Sequence, residues 1–314
     1  MAINSRADPL APGTLAADVM TVVVAHNSEG FLPGCLAAVA AAATRVDARV
    51  LVADSGSSDG VQALCDQLGV PFLAGENEGL GAAFNRAFAR EDVRRARYVL
   101  QLNPDVVLPA GGLDALVELA DRRPRCGILA PRQVDQHGRL ICSVGVEPTA
   151  ASCWRAVAEL RGCDWEWEPR SYDHEHNADW VMGACMLLRR ELLAATGGFD
   201  ERFFLCSEEV DLCRRSRAAG WSVIYTPAVT IVHPLADRPV DELRVRLEEW
   251  SRILYIRKWH GLPARLSMRA ALVARFARLA ARQARHHARG DARLRLGATL
   301  RFNRRRYGRD GSRR

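Results

Sequence analysis

Val19-Met20-Thr21-Val22-Val23-Val24-Ala25 is apolar or β-branched throughout and runs straight into the polar turn His26-Asn27-Ser28-Glu29-Gly30. A strand with one wet face would alternate. One without a polar face is covered on both sides, as happens inside a sheet flanked by helices. Working outward, residues 31–43 read as helix, and Arg49-Val50-Leu51-Val52-Ala53 repeats the strand pattern before an Asp-Ser-Gly-Ser-Ser turn. Residues 59–68 read as helix, 70–73 as strand, 80–90 as helix, 98–102 as strand and 112–121 as helix. This β, α alternation predicts an α/β fold, a doubly wound and mostly parallel sheet with right-handed crossovers, and ligands bind such sheets beyond the carboxyl ends of the strands. Three loops fall at that edge: AHNSEG, DSGSSDG and NPD.

Past residue 131 the pattern loosens. Residues 132–179 show no steady period and carry Trp154, Trp165, Trp167 and Tyr172, read as an irregular insertion facing an acceptor or as aromatics plugging a loop onto the core. Residues 184–188 read as strand and 208–219 as helix. Residues 221–231 read as two strand pieces broken at Pro227. Helices are predicted over 241–260 and 262–289. The expected organisation is a flexible segment 1–17, a catalytic domain 18–238 with halves 18–131 and 132–238, and a basic helical extension 239–314.

A chain of 314 residues with 48% hydrophobic residues can bury a sizeable core. No run of 18 apolar residues occurs, and the N-terminus lacks the basic-then-apolar order of a secretory signal, so a cytoplasmic protein is expected, free or peripheral on the inner membrane face. Nine scattered cysteines with no C-x-x-C pair argue against a disulfide framework or structural zinc. Charge divides sharply. Residues 240–314 hold 21 basic against 6 acidic side chains, a surplus of 15, while the remainder has an acidic excess of 8. A basic arm on an acidic body suits an anionic membrane surface, and on the last helix Leu266, Val273, Phe276 and Ala280 share helical spacing beside a stripe of Arg275, Arg278, Arg282, Arg285 and Arg289. The simpler reading is a solvated helix packed on the body. Nucleic acid is not expected, because no recognition module accompanies the charge. Only one basic residue, Lys258, is lysine, which fits genome composition.

Asp54 closes the second strand, where a carboxylate accepts from a ribose hydroxyl or a base N–H. A dinucleotide-binding site would need G-x-G-x-x-G in the first turn, and AHNSEG is not that. Asp105, in Asn103-Pro104-Asp105, presents a second carboxylate at the same edge, able with two phosphate oxygens to bind magnesium or manganese. Glu208 and Glu209 stand side by side at a helix start; two adjacent like charges raise at least one pKa, a liability on a surface and an asset in a general base.

Taken in order, VVVAHNSEGFLPGCL, LVADSGSSDG, ENEGLGAAFNRAF, LQLNPDVVLP, DWVMGACMLLRRELLAATGGFDERFF and EEVDLCRRSRAAGW resemble family 2 glycosyltransferases, especially the bacterial rhamnosyltransferase-like branch, over about residues 19–233. The resemblance implies a nucleotide-diphospho-sugar transferase fold of the GT-A kind and inverting transfer of a sugar, rhamnose favoured, from a dTDP- or UDP-linked donor to a glycan or lipid-linked acceptor. By resemblance, Asp54 reads the base, Asp105 and His233 hold the divalent cation, and Ala25, Asn27, Gly56, Asn77, Gly79, Asn85 and Asn103 belong to the donor site. Trp180 and Gly183 would floor the acceptor site. His26 stands where the family often has an aromatic. Where the family commonly ends its motif in Glu-Asp, this chain has Glu208-Glu209, which puts Glu209 in the base position with Glu208 in support. A nucleotidyltransferase and a non-catalytic scaffold of the same fold are the rival readings; the first would need a glycine-rich basic loop that AHNSEGF lacks.

Overall fold

The computed structural model describes residues 17–159, 172–234 and 242–285. Residues 1–16, Trp165, Trp167, Arg289 and the domain boundary expected at 238 lie outside them. The first half runs β1 (Val19–Ala25), α1 (Leu32–Ala42), β2 (Ala48–Asp54), α2 (Val61–Leu68), β3 (Phe72–Leu73), α3 (Leu80–Phe88), a short α4 (Glu91–Arg94), β4 (Tyr98–Leu102) and α5 (Gly112–Asp121). The second runs β5 (Cys126–Val134), β6 (Val144–Gly145), α6 (Ala150–Glu159), β7 (His176–Asn177), β8 (Trp180–Val181), β9 (Cys185–Arg189), α7 (Arg190–Thr196), α8 (Glu208–Ala218), β10 (Ser222–Val232), α9 (Glu242–Trp259) and α10 (Leu262–Arg285).

Eight strands form one sheet in the order β3-β2-β1-β4-β9-β5-β10-β7, with β6 and β8 in a separate pair. β1 lies parallel between β2 and β4, all seven of its residues buried. Alternate side chains explain why it has no polar face: Met20, Val22 and Val24 meet Ala83, Phe84 and Val210 of α3 and α8, while Val19, Val23 and Ala25 join Leu32, Val61 and Leu116 of α1, α2 and α5. The sheet is mixed rather than wholly parallel. β9 runs antiparallel to both β4 and β5. β10 is one strand, not two pieces. Its pairing with β5 shifts register between Thr226 and Thr230, so Pro227 falls in the irregular stretch, where its missing N–H breaks no ladder bond.

The extension is built into the rest. On α10, Met268, Leu272 and Phe276 are buried against Cys153 and Val157 of α6 and Ile256 of α9. Arg275 is buried and Arg278 donates to the Val157 carbonyl. The expected apolar face is therefore shifted, with Phe276 and Ala280 inside but Leu266 62% exposed. The partner that shifts it, α6, lies in the stretch that reads as irregular. Tyr172 takes the plugging role, its hydroxyl accepting from the N–H groups of Ser143 (3.0 Å) and Val144 (3.2 Å).

Candidate active site

The carboxyl ends of β1, β2 and β4 lie side by side, and the turns leaving them carry the donor-edge residues. Asp54 is buried, with Oδ2 accepting from the Ser57 N–H at 2.9 Å and Oδ1 from the Ser57 hydroxyl at 2.5 Å. The loop after β2 thus fixes its own carboxylate before any ligand arrives. Ala25 is buried, and its carbonyl accepts from the Ser55 N–H at 2.8 Å, locking the two strand ends together. Asn27 has a left-handed φ of 48°, and its Oδ1 accepts from the Ser58 N–H at 2.8 Å. The His26 ring pairs through Nδ1 with the Ser55 carbonyl at 2.7 Å.

The loop between β3 and α3 closes over this edge. A Cβ on Gly56 would lie 2.7 Å from the Asn77 nitrogen, and the Ser55 hydroxyl reaches Asn77 Oδ1 at 3.3 Å. Gly79 has a φ of 98°, and any Cβ there would collide with the Phe204 backbone carbonyl. Glycine is required on both counts, and its close approach joins the donor loop to the segment preceding α8. Arg86 donates to the Asp54 carbonyl. Asn85 has a different job from the one expected. Its amide donates to the Phe199 carbonyl (2.8 Å) and to Glu201 (3.0 Å) and accepts from the Phe199 N–H (2.9 Å), so it clamps α3 to the Gly-Gly-Phe-Asp-Glu turn and has little left for a donor.

Asp105 and His233 are brought together by an antiparallel bridge between Val107 and Val232, whose N–H and carbonyl groups exchange bonds of 2.9 and 3.0 Å. His233 Nε2 lies 3.4 Å from Asp105 Oδ2, while Nδ1 is 3.2 Å from Gln133 Oε1. The imidazole Nε2 and a carboxylate oxygen converge from two distant chain segments, and Gln133 fixes the ring through Nδ1, as an outer hydrogen-bond partner commonly does for a metal-ligating histidine. Asp105 and His233 thus fit a divalent ion. Among the described residues no cluster of three ligating side chains exists, so the remaining positions would fall to water and phosphate oxygens. Asn103 Oδ1 accepts from Gln101 Nε2 at 3.4 Å, and its backbone N–H pairs with the Ala184 carbonyl at 2.9 Å.

Glu208 and Glu209 open α8 after two non-glycine residues in the left-handed region, Cys206 (φ 64°) and Ser207 (φ 67°). Each such residue costs about 1 kcal/mol or more and persists only where its surroundings hold it. The adjacent carboxylates have divided environments. Glu208 is only 4% exposed, its Oε2 has no hydrogen-bond partner, and burial pushes its pKa up to about 7. Glu209 is partly exposed and faces Gly183, where a Cβ would sit 3.5 Å from its own Cβ, with Gln101 Oε1 beside them. Burial favours the protonated form of Glu208, and a protonated carboxyl there lessens the like-charge repulsion between the two adjacent side chains.

Trp180 is not an acceptor platform. Its indole is 2% exposed, lies over Gly145 and donates to the Val146 carbonyl at 3.0 Å. Gly183 lies against Glu209, where a Cβ would sit 3.5 Å from the Glu209 Cβ. Several participants are absent from the sequence reading: Ser57, Arg86, Gln101, Gln133, and on α9 Ser251; Lys258 appears there only as a matter of composition. Ser57 was visible as a serine three residues past Asp54, the spacing of a side-chain-capped turn. Gln101 and Gln133 carried a weaker signal, amides inside apolar strands.

The family model described as "Glycosyltransferase like family 2" matches residues 16–252. An N-acetylglucosaminyl-diphospho-decaprenol L-rhamnosyltransferase of Mycobacterium tuberculosis is 31% identical over 82% of this chain and 92% of its own length. The rhamnosyltransferase WbbL of Escherichia coli is 25% identical, covering 68% of this chain and 83% of its own. Among solved structures, the mannosyltransferase PcManGT of Pyrobaculum calidifontis, in complex with GDP-Man and Mn2+, superposes with a TM-score of 0.53 at 19% identity, over 95% of this chain and 83% of that one. The fold is that of GT-A nucleotide-sugar transferases, and the chain belongs to glycosyltransferase family 2.

Proposed function

We propose that the protein moves a rhamnose-like sugar from a dTDP- or UDP-linked donor to a hydroxyl of a lipid-linked or cell-envelope glycan acceptor, in one displacement with inversion. The divided pair Glu208/Glu209 carries this reading. Glu209 takes the proton of the acceptor hydroxyl as its oxygen bonds to the anomeric carbon, and the bond to the diphosphate breaks on the opposite face, so that one base suffices and no covalent sugar intermediate forms. Asp54 accepts from the donor base or ribose. Asp105 and His233 would hold a divalent cation, which when bound supplies charge neutralisation to the diphosphate. The relatives' names support rhamnose and a lipid-linked acceptor, and nothing in the described residues reads the sugar directly.

The test offers the purified protein a panel of nucleotide sugars with manganese and a short lipid-diphosphate glycan acceptor, and follows the anomeric configuration of the product. Inverted transfer with release of a nucleoside diphosphate is expected. Retained configuration, or release of pyrophosphate, overturns the reading.

We further propose peripheral attachment to anionic membrane. No helix among the described residues is long and apolar enough to cross a bilayer. Leu262 and Leu266, one turn apart at the start of α10, are 65% and 62% exposed, and Trp154 of α6 is bonded to Ser267 beside them. Replacing both leucines by serine should weaken binding to phosphatidylglycerol vesicles by about tenfold or more, each inserted leucine being worth about 1.5–3 kcal/mol, with donor binding unchanged. Vesicle binding indifferent to both the substitutions and salt, or no vesicle binding by the wild-type protein, would overturn attachment through this end of α10.

A further inference from the structure

Of 44 basic side chains in this chain, one is a lysine. Lys258 lies near the end of α9, and its Nζ donates to Asp200 Oδ2 at 2.7 Å and to Asp211 Oδ1 at 2.5 Å. The ammonium also sits 4.9 Å from the Trp259 ring centroid and 5.8 Å from that of Phe203. Trp259 adds its own N–H to Asp211 Oδ1 at 2.8 Å. Two turns earlier on α9, the Ser251 hydroxyl donates to the Leu205 carbonyl at 2.8 Å.

These contacts share one target. Asp200 belongs to the turn after β9 and α7, Asp211 to the first turn of α8, and between them lie the left-handed Cys206 and Ser207 and the pair Glu208/Glu209. α9 therefore holds the beginning, middle and end of a single segment whose backbone is in a conformation that L-residues abandon when released. The lysine presents a compact ammonium with rotatable donors on a flexible stem, which lets one charge serve both carboxylates; a guanidinium is a rigid planar fork, so arginine is not an equivalent replacement.

We propose that Lys258 is a positioning residue for sugar transfer: by tying Asp200 to Asp211 it holds the strained segment that presents Glu209, which makes α9 a working part of the catalytic domain. This rests on Glu209 being the base. The family match, ending at residue 252, already reaches well into α9. The substitution Lys258→Met is informative because neither carboxylate is left alone, Asp200 keeping Arg202 at 2.6 Å and Asp211 keeping Arg215 at 2.7 Å.

The experiment compares the full chain with Lys258→Met and Lys258→Arg in two readouts. In hydrogen exchange, Lys258→Met should speed the amides of residues 203–211 by about tenfold or more while β1, β2 and β4 keep wild-type rates. In kinetics, kcat should fall about 10- to 100-fold, the scale of a small misplacement of a reacting group, with donor KM within about twofold. Lys258→Arg should restore the melting temperature but only part of kcat. Unchanged exchange at 203–211, full rescue by arginine, or a parallel loss of donor KM and melting temperature would each overturn the proposal. If the wild-type protein transfers no sugar, the functional reading fails on its own account, and the exchange result still decides whether Lys258 holds the segment.

Discussion

The two halves of the sheet hold their functional side chains by different means. At the ends of β1 and β2, a donor-edge residue is fixed close to home: Asp54 by Ser57 three positions on, and Ala25 by the neighbouring strand end. Around Asp105, His233 and α8, the partners are far apart in the chain. Gln133 orients His233 across 100 positions, Glu147 gathers Arg214, Arg217 and Tyr255, and Lys258 reaches back to Asp200 and Asp211. The difference teaches that donor binding here is a property of strand ends and their turns, while base placement is a property of the assembled domain. Substitutions in the two regions should therefore separate donor affinity from turnover.

The largest effect is expected at Glu209. Removing a general base typically costs 10² to 10⁴-fold in rate, so Glu209→Gln should depress kcat by about that factor and leave donor KM nearly unchanged. Glu209→Asp should keep substantial activity, since it retracts the carboxylate by about one carbon–carbon bond, roughly 1.5 Å. Steady-state kinetics with saturating acceptor decide the matter. If Glu208→Gln abolishes turnover while Glu209→Gln transfers at the wild-type rate, the two carboxylates have exchanged roles.

On the donor side the sign of the split reverses. Asp54→Asn preserves volume and one acceptor but replaces the charge, and a hydrogen bond to a charged group is worth about 1.5–3 kcal/mol. Donor KM should rise about 10- to 100-fold, with kcat within a few fold, and binding of the free nucleoside diphosphate should weaken in parallel. A loss confined to kcat would place Asp54 in the chemistry and collapse the distinction between the halves.

The same distinction decides what could be read from the sequence. β1, β2, β4 and α5 were legible to within a residue or so because a strand buried on both faces and a helix on the next layer each leave a local pattern of one period. The local placement of Asp54, Asp105 and Glu209 was legible because Asp54 ends a strand, Asp105 lies in the turn after one and Glu209 lies in the first turn of a helix. α6 was not, since its apolar side is completed only by α10, more than a hundred residues on. Trp180 misled for a related reason: an indole near Gly183 suits a sugar platform equally well, and only the fold shows Gly145 beneath it. Lys258 was visible as an oddity of composition and became meaningful once its two carboxylates were seen to bracket the base.

The effect that probes the divided carboxylates without any substrate concerns Glu208. Burial raises its pKa from the ordinary carboxylate range to about 7, so the folded state keeps a proton there that the unfolded chain releases above about pH 4.3. Where the folded state binds more protons, stability falls as pH rises. The contribution of Glu208 is full below about pH 4.3, declines across the interval to about 7, and is gone above it. Glu208→Gln fills nearly the same volume and does not titrate, so it should lack this component. Relative to wild type, its stability in urea should change little at pH 4 and improve as pH rises to 8, by an amount on the order of 3 kcal/mol, the scale of a shift of two to three units. Tracing the difference between the two proteins, and not either curve alone, removes the contribution of every other titrating group. A difference that stays constant from pH 4 to 8 would mean that Glu208 titrates alike in the folded and the unfolded chain, and the contrast between its buried carboxyl and that of its neighbour Glu209 would have to be abandoned.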